Sequence, residues 1–497
     1  MIQNCVIKSF YNNYYFYDKS KGIHHCHPVF AYIISNPNLE YKDYLESNPS
    51  AEVDVSLFKY FKLKYDSFKN DGYFTSNTTT VDLTKELNED IVVNSIANMR
   101  QITFELTDNC SLACEYCIYS SLYDKHELRK SKSMDFKIAK KLIDYLLNYW
   151  NSNLNNSKNK NIYLSFYGGE PLLNFELIRQ IVDYSKSIRL SKNYFSYNMT
   201  TNGLLLSKYI DYFVDNNFNI LISLDGDRYN NSYRKLKNGG ESYDLVLKEI
   251  EIVKEKFPLY FEKNINFNAV LHNKNSVDDI YHYFKSNFNK IPSIGELNFD
   301  GISPEMENKF NDMYQNSFRS YHKSQNMDIL NKEMFIKLPV IQSVSNFIMA
   351  YSGSTYKSYN SLLAHDINAR RFPTGTCIPF SKKMFVTVNG KLLPCETIGH
   401  EHALGEVTEH EVRINYSEIA EKYNSYFRSI IKKCSSCNIN DNCTQCVLFD
   451  FELTKLNFSC KNYMNDNEFM KFLIDHISFL EKYPELYPEL IENVITI

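Results

Sequence analysis

The stretch that decides the fold is QITFELTDNCSLACEYC, residues 101–117, where a strand-like run passes directly into three closely spaced cysteines. Similar strand-like runs recur along the chain, each ending in polar or glycine residues, at Ile162–Tyr167, Phe195–Thr200, Phe218–Leu224, Ile265–Leu271 and Glu296–Asp300. Amphipathic helical stretches separate these runs, and alternating strands and helices predict βα units with a parallel sheet. We therefore predict an α/β fold with a partial (β/α)6 TIM-like barrel over residues 98–304, whose chemistry lies where strands end and βα loops begin.

The segments around the barrel predict four further regions. Residues 1–97 resemble a small separate module, with strands at Cys5–Phe10 and Tyr14–Tyr17, a hairpin turn at Asp18–Gly22, and helices at Pro28–Ser35 and Leu57–Phe68. The run His24-His25-Cys26-His27 is interpreted as a surface loop, with a metal site as the alternative. We expect a helical linker at 305–376, a cysteine-rich domain at 377–463 and a C-terminal helical tail at 464–497.

Composition excludes several classes of protein. A chain of 497 residues is long enough for about two to four domains. The formal net charge of −4 is unlike that of a general nucleic-acid binder, and no apolar run is long enough to span a bilayer. Because the first residues also lack a secretory signal, we expect a cytoplasmic protein without nucleic-acid or membrane partners. In a reducing compartment, 12 cysteines indicate metal ligands or catalytic groups rather than disulfides.

The first cysteine group, Cys110, Cys114 and Cys117, follows the first predicted strand. Three thiolates at this spacing can bind one cubic iron–sulfur cluster, and since four cysteines are usual, one iron would stay open to a small molecule. A zinc site, which usually needs a fourth ligand nearby, and purely structural thiols are the alternatives.

The ends of the next three strands carry residues suited to binding a small molecule. Gly168-Gly169-Glu170-Pro171 offers close backbone approach and an acceptor for an amine. Asn202 ends the third strand, Ser223 ends the fourth, and Arg234 follows at a distance suited to pairing with a carboxylate. Each motif alone is usually a turn, but together they predict a ligand site at one barrel face.

With these motifs the chain resembles the radical S-adenosylmethionine superfamily over roughly residues 100–300. The resemblance rests on the Cys110/Cys114/Cys117 triplet, on Tyr116 and on Gly168-Gly169-Glu170-Pro171. It implies a [4Fe-4S] cluster whose open iron chelates S-adenosylmethionine, with Gly168, Gly169 and Glu170 holding the methionyl amine. It further implies that Tyr116 lies near the adenine, that Ser223 and Arg234 place the ribose and carboxylate, and that a 5′-deoxyadenosyl radical abstracts hydrogen from the substrate.

Seven further cysteines lie near the C-terminus, at Cys377, Cys395, Cys434, Cys437, Cys443, Cys446 and Cys460. The four clustered ones alone would favour a zinc knuckle. Downstream of such a barrel, the seven resemble a SPASM extension, which implies two auxiliary iron–sulfur clusters, although only two residues separate the last clustered pair instead of the usual three. By that resemblance Cys434, Cys437, Cys443 and Cys460 hold one cluster, while Cys377, Cys395 and Cys446 hold a second with an open iron or an outside ligand. Glu396 is a candidate general base, and an exposed, functionless Glu is the alternative.

SPASM-bearing enzymes mostly modify peptides, and residues 1–97 are similar to winged-helix elements that bind leader peptides by strand addition. The alternative is that residues 1–97 only support the barrel. We hypothesise a peptide maturase that forms an intramolecular cross-link, most plausibly a cysteine thioether to carbon, in a ribosomally made precursor with a leader. A reductant such as flavodoxin or ferredoxin would supply electrons. Formylglycine formation in a sulfatase, carbon–carbon cross-linking and a zinc-binding adaptor stay open.

Overall fold

The computed structural model describes residues 1–74, 82–125, 129–334, 339–352, 371–449, 460 and 462–492. The chain divides into two compact units. The terminal unit comprises residues 1–85, 338–375 and 426–497, and the sheet unit comprises residues 86–337 and 376–425. Our predicted regions follow one another along the chain, whereas each unit is assembled from separate segments.

The described strands are β1 (Asn4–Lys8), β2 (Tyr14–Asp18), β3 (Gly22–Cys26), β4 (Gln101–Glu105), β5 (Asn161–Tyr167), β6 (Tyr194–Thr201), β7 (Asn219–Ser223), β8 (Ile265–Leu271), β9 (Ser293–Glu296), β10 (Met384–Val386), β11 (Lys391–Leu393), β12 (Gly405–Val407) and β13 (Val412–Arg413).

The described α-helices are α1 (Pro28–Ser35), α2 (Tyr41–Ser47), α3 (Val55–Asn70), α4 (Glu89–Ala97), α5 (Phe136–Trp150), α6 (Phe175–Ser187), α7 (Leu206–Asp215), α8 (Tyr243–Lys256), α9 (Pro258–Asn264), α10 (Val277–Phe288), α11 (Glu307–Met313), α12 (Ser317–His322), α13 (Met327–Glu333), α14 (Pro339–Tyr351), α15 (Tyr416–Cys434), α16 (Asp466–Lys482) and α17 (Leu486–Leu490). Among them, none is both long and apolar enough to cross a bilayer.

The sheet unit is built on one large sheet with the strand order β13-β12-β11-β10-β4-β5-β6-β7-β8-β9. Strands β4 to β9 are parallel and follow chain order, and helices connect them. This arrangement confirms the predicted α/β fold and is consistent with a partial TIM-like barrel. Because the strands are parallel, their carboxyl ends and the loops that follow lie along one edge of the sheet.

The sixth predicted strand is displaced. Glu296–Asp300 was the expected segment, but β9 runs from Ser293 to Glu296 and pairs with β8. The chain leaves the sheet at Glu296, whose carboxylate accepts hydrogen bonds from Tyr314 Oη at 2.6 Å and Ser317 N at 2.8 Å. Leu297 then packs in an apolar cluster with Tyr116 and Leu122. The apolar run that follows Glu296 therefore resembles a strand in sequence, but it forms a loop that packs beside the cysteine segment.

The two faces of the parallel sheet differ sharply in polarity. One face carries large side chains that are fully buried, among them Ile102, Phe104, Leu164, Phe166, Ile222 and Phe267. The alternate positions carry small or polar residues such as Thr103, Ser165 and Asn198. Because side chains on a strand alternate between faces, this pattern packs one face against helices and leaves the other polar.

The terminal unit contains a three-stranded antiparallel sheet in the order β1-β2-β3. The predicted turn after Asp18 joins β2 to β3, so His24, His25 and Cys26 lie in a strand and not in a surface loop. Aromatic contacts explain this difference, since His24 stacks on Phe16 with ring centroids 4.9 Å apart. The sequence pattern missed β3 because histidines lack the apolar alternation that marks a strand.

The predicted C-terminal tail contributes to the same terminal unit. Helix α16 begins with a capping box between Asn465 and Glu468 and contacts the N-terminal sheet. There Phe469 meets Tyr17 edge-on at 5.6 Å, and Tyr15 Oη donates to Glu481 at 2.6 Å. The predicted helical linker also contains helices α11 to α14, while residues 353–370 lie outside the described part of the chain.

Candidate functional site

The three cysteines lie on the loop that follows β4, in the sheet unit. This loop pairs with the end of the short helix 230–233 and the residues that follow it, because Glu115 N donates to Tyr233 O at 3.1 Å and Ala113 N donates to Lys235 O at 2.8 Å. Cys117 N donates to Cys114 O at 3.2 Å, so the loop turns tightly between these two cysteines. The backbone bonds hold the loop at the carboxyl edge of the sheet, where the prediction places it.

The three thiols share one partly buried region. Burial raises the pKa of the Cys114 thiol to about 12, and the nearby Arg234 opposes this shift. The pKa of the Cys110 thiol is also raised, first by burial, with Glu170 and Cys117 among its charged neighbours. Thiols with raised pKa values stay protonated in the protein without metal, so binding of iron would release protons.

Gly168 and Gly169 bring the end of β5 against the start of the cysteine loop. A Cβ atom on Gly169 would lie 2.1 Å from the Asn109 carbonyl oxygen, and one on Gly168 would lie 2.4 Å from that of Thr107. Gly168 also has φ of +131°, which side chains rarely adopt. Gly169 N donates to Thr107 O at 2.8 Å. These glycines are therefore required for the close approach of two loops, whatever else they bind.

Glu170 is buried, with 1% of its surface exposed, and joins three segments. Its carboxylate accepts hydrogen bonds from Leu172 N at 3.0 Å, Thr201 Oγ1 at 2.7 Å and Asn202 N at 2.7 Å. Burial raises the pKa of this carboxyl to about 7, although these three donors oppose the shift. A carboxylate has about four acceptor positions, which leaves Glu170 room for roughly one further donor.

Tyr116, between two of the cysteines, is held by a buried ion pair. Its hydroxyl donates to Asp225 Oδ2, and Arg234 Nη2 donates to Asp225 Oδ1 at 2.9 Å. Val270 N also donates to Asp225, and His272 Nε2 lies 3.7 Å away. Burial alone would raise the pKa of Asp225, but Arg234 and His272 outweigh it and lower the pKa to about 2. Asp225 is thus a carboxylate that ties the cysteine loop to the ends of β7 and β8.

Arg234 keeps an unused donor in this network. The side chain is 9% exposed, and its Nε has no hydrogen-bond partner among the described residues. A buried donor without a partner costs about 1–3 kcal/mol unless a ligand or water satisfies it. The predicted pairing of Arg234 with a ligand carboxylate is compatible with this atom, while the observed carboxylate partner is Asp225.

The other predicted contacts lie along the same strand ends. Asn202 Nδ2 donates to Ser111 Oγ at 3.0 Å and lies 3.8 Å from Cys110 Sγ. Pro171 is buried and begins the short helix 171–174. Ser223 is the last residue of β7 and is half-buried. The sheet unit thus brings the predicted cysteines, glycines and polar residues to one edge.

A cavity of about 210 Å³ opens on the polar face of the parallel sheet. Strands β4 to β8 and Glu396 line it, with Ser165 and Asn198 near its middle. Lys383 Nζ lies 2.7 Å and 2.6 Å from the two carboxylate oxygens of Glu396. Glu396, proposed from sequence as a general base, is therefore a half-buried, ion-paired carboxylate on a cavity wall.

The auxiliary cysteines divide between the units. Cys434, Cys437, Cys443 and Cys460, together with Lys433 and Tyr463, line one small cavity of the terminal unit. Burial raises the pKa of the Cys434 thiol to about 12, with the other three as charged neighbours. Cys446 belongs to the same unit, whereas Cys377 and Cys395 belong to the sheet unit. No disulfide joins any of the twelve cysteines, all of which lie among the described residues.

The three thiols of the cysteine loop are the donor type that binds an iron–sulfur cluster. Three thiols lie on one loop, a buried guanidinium has a spare donor, and two glycines hold the neighbouring backbone close. In the part of the chain that the structure describes, no three His, Cys, Asp or Glu side chains converge tightly enough for a metal ion. The fit therefore depends on the thiol set and on the unsatisfied Arg234 donor.

Sequence reasoning missed several residues of this site. Asp225 is one of them, because its partners Tyr116, Arg234 and His272 lie far apart in sequence and no local pattern reveals their contact. Lys383 was missed for the same reason. The polar cavity lining was detectable, because Thr103 and Ser165 are polar at positions that alternate with buried apolar residues.

Parts of this chain are similar in sequence to several known proteins. An uncharacterized protein of Methanocaldococcus jannaschii is 36% identical over 32% of this chain and 50% of its own length. The radical SAM cyclopropyl synthase TigE of Paramaledivibacter caminithermalis is 27% identical over 38% of each chain. A cysteine-type anaerobic sulfatase-maturating enzyme of Clostridium novyi is 26% identical over 36% of this chain and 46% of its own. The chain thus spans half the length, or less, of these curated relatives.

Solved structures share the fold. Native anSMEcpe with bound AdoMet aligns with 79% of this chain and 98% of its own, with a TM-score of 0.50 and 18% identity. The same protein with AdoMet and the Kp18Cys peptide gives 0.50 and 17%, over 80% and 99%. The family model of the radical SAM superfamily matches residues 104–285, which contain the cysteine loop, the two glycines, Glu170 and the Asp225 network. This match covers residues 104–285 and leaves the rest of the chain outside it.

Proposed function

We propose that this protein is a radical S-adenosylmethionine maturase that installs an intramolecular cross-link, a cysteine thioether to carbon, in a ribosomally made precursor peptide. The observation that carries the proposal is the joined set of cysteine loop, Gly168-Gly169-Glu170 and the Arg234 donor at one strand edge. The family match over this segment supports the radical chemistry. The named activity of the sulfatase-maturating enzymes and the peptide bound to anSMEcpe support a peptide or protein substrate.

In this proposal Cys110, Cys114 and Cys117 hold a [4Fe-4S] cluster, and the chain positions S-adenosylmethionine beside it. When bound and reduced, this pair supplies one-electron cleavage of the sulfonium and a 5′-deoxyadenosyl radical that removes hydrogen from the substrate. The methionyl amine would occupy the one acceptor position that Glu170 has left. Arg234 Nε would donate to the carboxylate of S-adenosylmethionine.

Three other residues would complete the binding of S-adenosylmethionine. Tyr116 would lie beside the adenine, and its bond to Asp225 would keep the cysteine loop in place. Ser223 would donate to the ribose, since it ends β7 beside this network. Asn202 would orient the loop through Ser111.

Glu396 is the proposed general base of the reaction. It lines the cavity on the sheet face, where a substrate group would lie, and it forms an ion pair with Lys383. A carboxylate can accept the proton that a substrate radical releases when the cross-link forms, and the electron released in the same step would pass to a proposed auxiliary iron–sulfur cluster. Glu396→Gln is therefore expected to retain cleavage of S-adenosylmethionine and to lose the peptide product.

The cysteine-rich residues 377–463 are proposed to act as a SPASM domain. Cys434, Cys437, Cys443 and Cys460 would hold one auxiliary cluster, which their shared cavity supports. The second cluster, which the resemblance assigns to Cys377, Cys395 and Cys446, stays a prediction. Electrons would come from a flavodoxin or a ferredoxin.

Residues 1–97 are proposed to bind the leader of the precursor as a winged-helix-like module. Strands β1 and β3 each have one strand neighbour in their sheet, so each is an edge that an extended peptide can join. Removal of the leader from the precursor should abolish its turnover while leaving cleavage of S-adenosylmethionine intact.

The function is tested by incubating the anaerobic, reduced protein with S-adenosylmethionine and a cysteine-containing precursor encoded beside its gene. Formation of 5′-deoxyadenosine together with loss of two hydrogen atoms per cross-link supports the proposal, and tandem mass spectrometry distinguishes thioether from carbon–carbon bonds. An unchanged peptide mass with uncoupled cleavage would contradict it.

A second candidate is formylglycine formation in a sulfatase, which the similarity to cysteine-type and serine-type anaerobic sulfatase-maturating enzymes favours. A short sulfatase peptide with a central Cys or Ser discriminates, because an aldehyde trapped by a hydrazine reagent would support this candidate. Iron analysis excludes a zinc adaptor if it finds about twelve iron atoms per chain, as three four-iron clusters require.

A further inference from the structure

Two arginines lie beside the cysteine loop, and they differ in their partners. Arg234 pairs with Asp225 at 2.9 Å. Arg129 forms no ion pair with any described residue, and its Nε, which is buried, has no hydrogen-bond partner among them. Since buried donors are normally hydrogen-bonded, Arg129 indicates a group that the protein acquires from outside.

Arg129 is held against the segment that follows Cys117. Its guanidinium lies over the ring of Tyr119, with Cζ 4.1 Å from the ring centroid. Burial raises the pKa of the Cys110 thiol, and Arg129 is among the charges that oppose this shift. Stacking uses the face of a guanidinium and leaves the N–H groups in its plane available. Arg129 therefore offers donors and a positive charge beside the thiols.

The buried carboxyl groups of this region are hydrogen-bonded to other partners. Glu105 is 1% exposed and accepts from Tyr119 Oη at 3.0 Å and from Val388 N at 2.8 Å. Asp108 is 6% exposed and accepts from a backbone N–H at 2.7 Å. Since neither is within ion-pair distance of Arg129, the guanidinium has no close counter-charge in the part of the chain that the structure describes.

An iron–sulfur cluster on the neighbouring thiols would supply the missing partner. Hydrogen bonds to the sulfur atoms and the net charge of the site both set the reduction potential of such a cluster. Each electron that the cluster takes up adds one negative charge. A nearby positive charge with free N–H donors therefore stabilises the reduced form.

We infer that Arg129 contacts the cluster held by Cys110, Cys114 and Cys117 and raises its reduction potential. The inference rests on the proposed function, since it assumes this cluster. It adds the residue that makes the cluster easier to reduce, which is the step that precedes cleavage of S-adenosylmethionine.

The test is a redox titration of the anaerobically reconstituted full-length protein, followed by electron paramagnetic resonance. The signal that is absent from Cys114→Ala identifies the cluster of the cysteine loop. In Arg129→Gln the ratio of reduced to oxidised cluster at a fixed potential should fall about tenfold, which lowers the midpoint potential by about 59 mV. Because Arg129 makes no hydrogen bond through Nε, iron content and urea unfolding should change little.

Two further variants isolate the charge of Arg129. Arg129→Lys keeps the positive charge and should recover most of the shift in potential. Lys309→Gln is the matched control, because Lys309 pairs with Glu115 of the cysteine loop but its side chain is 47% exposed. Solvent screens such a charge, so the midpoint potential of Lys309→Gln should stay close to that of the unaltered chain.

Four results would overturn the inference: an unchanged midpoint potential in Arg129→Gln, an equal shift in Lys309→Gln, no recovery in Arg129→Lys, or loss of the cluster from Arg129→Gln, which would show a structural role. The same samples are assayed for 5′-deoxyadenosine. The predicted shifts without 5′-deoxyadenosine would refute the proposed function alone, whereas 5′-deoxyadenosine with a potential independent of Arg129 would refute this inference alone. If no signal depends on Cys114, both fail together.

Discussion

Replacement of Asp225 tests the network that holds the cysteine loop. Asp225 is fully buried, and it accepts hydrogen bonds from Arg234, Tyr116 and Val270 N. In Asp225→Asn the amide oxygen can still accept, but the positive charge of Arg234 loses its partner. Removal of one partner from a buried pair costs about 3–5 kcal/mol, mainly because the other charge stays buried alone.

The double-mutant cycle gives the magnitude of the coupling. Asp225→Asn and Arg234→Gln should each destabilise the sheet unit by about 3 kcal/mol. The double variant leaves no stranded charge, so it should also cost about 3 kcal/mol, which corresponds to a coupling of about 3 kcal/mol. Urea titration of the cluster-free protein, read by hydrogen exchange in peptides from β7 and β8, measures these local free energies.

An exposed ion pair in the same unit is the matched control. Arg228 pairs with Asp244, and their side chains are 53% and 61% exposed. Asp244→Asn should therefore cost less than about 1 kcal/mol. Additive effects of Asp225→Asn and Arg234→Gln, or a cost as small as that of the control, would refute the assignment of Asp225 as the anchor of the cysteine loop.

Three further predictions concern the same chain. Gly169→Ala should destabilise the sheet unit by about 3 kcal/mol or more in urea unfolding and lower the iron–sulfur cluster content, because its Cβ would lie 2.1 Å from a carbonyl oxygen. Gly295→Ala is the control, and since the space around Gly295 is open, it should change urea unfolding little. Burial raises the pKa of Glu170 to about 7 from 4.5, so the stabilisation contributed by its protonated form is complete below pH 4.5. This contribution falls by about 3 kcal/mol as the pH rises to 7. Urea titrations of Glu170→Gln should lack this fall, and parallel pH profiles of the variant and the unaltered chain would contradict the pKa shift. Cys434→Ala should reduce iron by about four atoms per chain while preserving 5′-deoxyadenosine formation, with Cys5→Ala as the control that loses none.

Much of the sheet unit could be predicted from sequence because its signals are local. Apolar runs alternating with amphipathic helices give the order of the parallel strands, and Gly168 and Gly169 mark a close approach that the structure contains. The sixth strand was displaced since Leu297 and Phe299 have a strand-like pattern but pack beside the cysteine loop. Local pattern does not distinguish these two environments.

Long-range pairing accounts for what the sequence did not reveal. Asp225 lies 109 residues from Tyr116 along the chain. Glu396, which pairs with Lys383, lines the same cavity as strands β4 to β8, which lie much earlier in the sequence. The ten-stranded sheet likewise depends on β10 pairing in parallel with β4. Such contacts follow from tertiary packing and leave no periodic trace in the chain.

Formation of 5′-deoxyadenosine tests the central claim most directly. The anaerobically reconstituted protein is mixed with S-adenosylmethionine and dithionite, and the product is quantified by mass spectrometry for the unaltered chain, Cys114→Ala and Cys5→Ala. The account predicts 5′-deoxyadenosine from the unaltered chain and from Cys5→Ala, and none from Cys114→Ala. Absence of 5′-deoxyadenosine from an iron-loaded unaltered chain, or its undiminished formation by Cys114→Ala, would contradict the account.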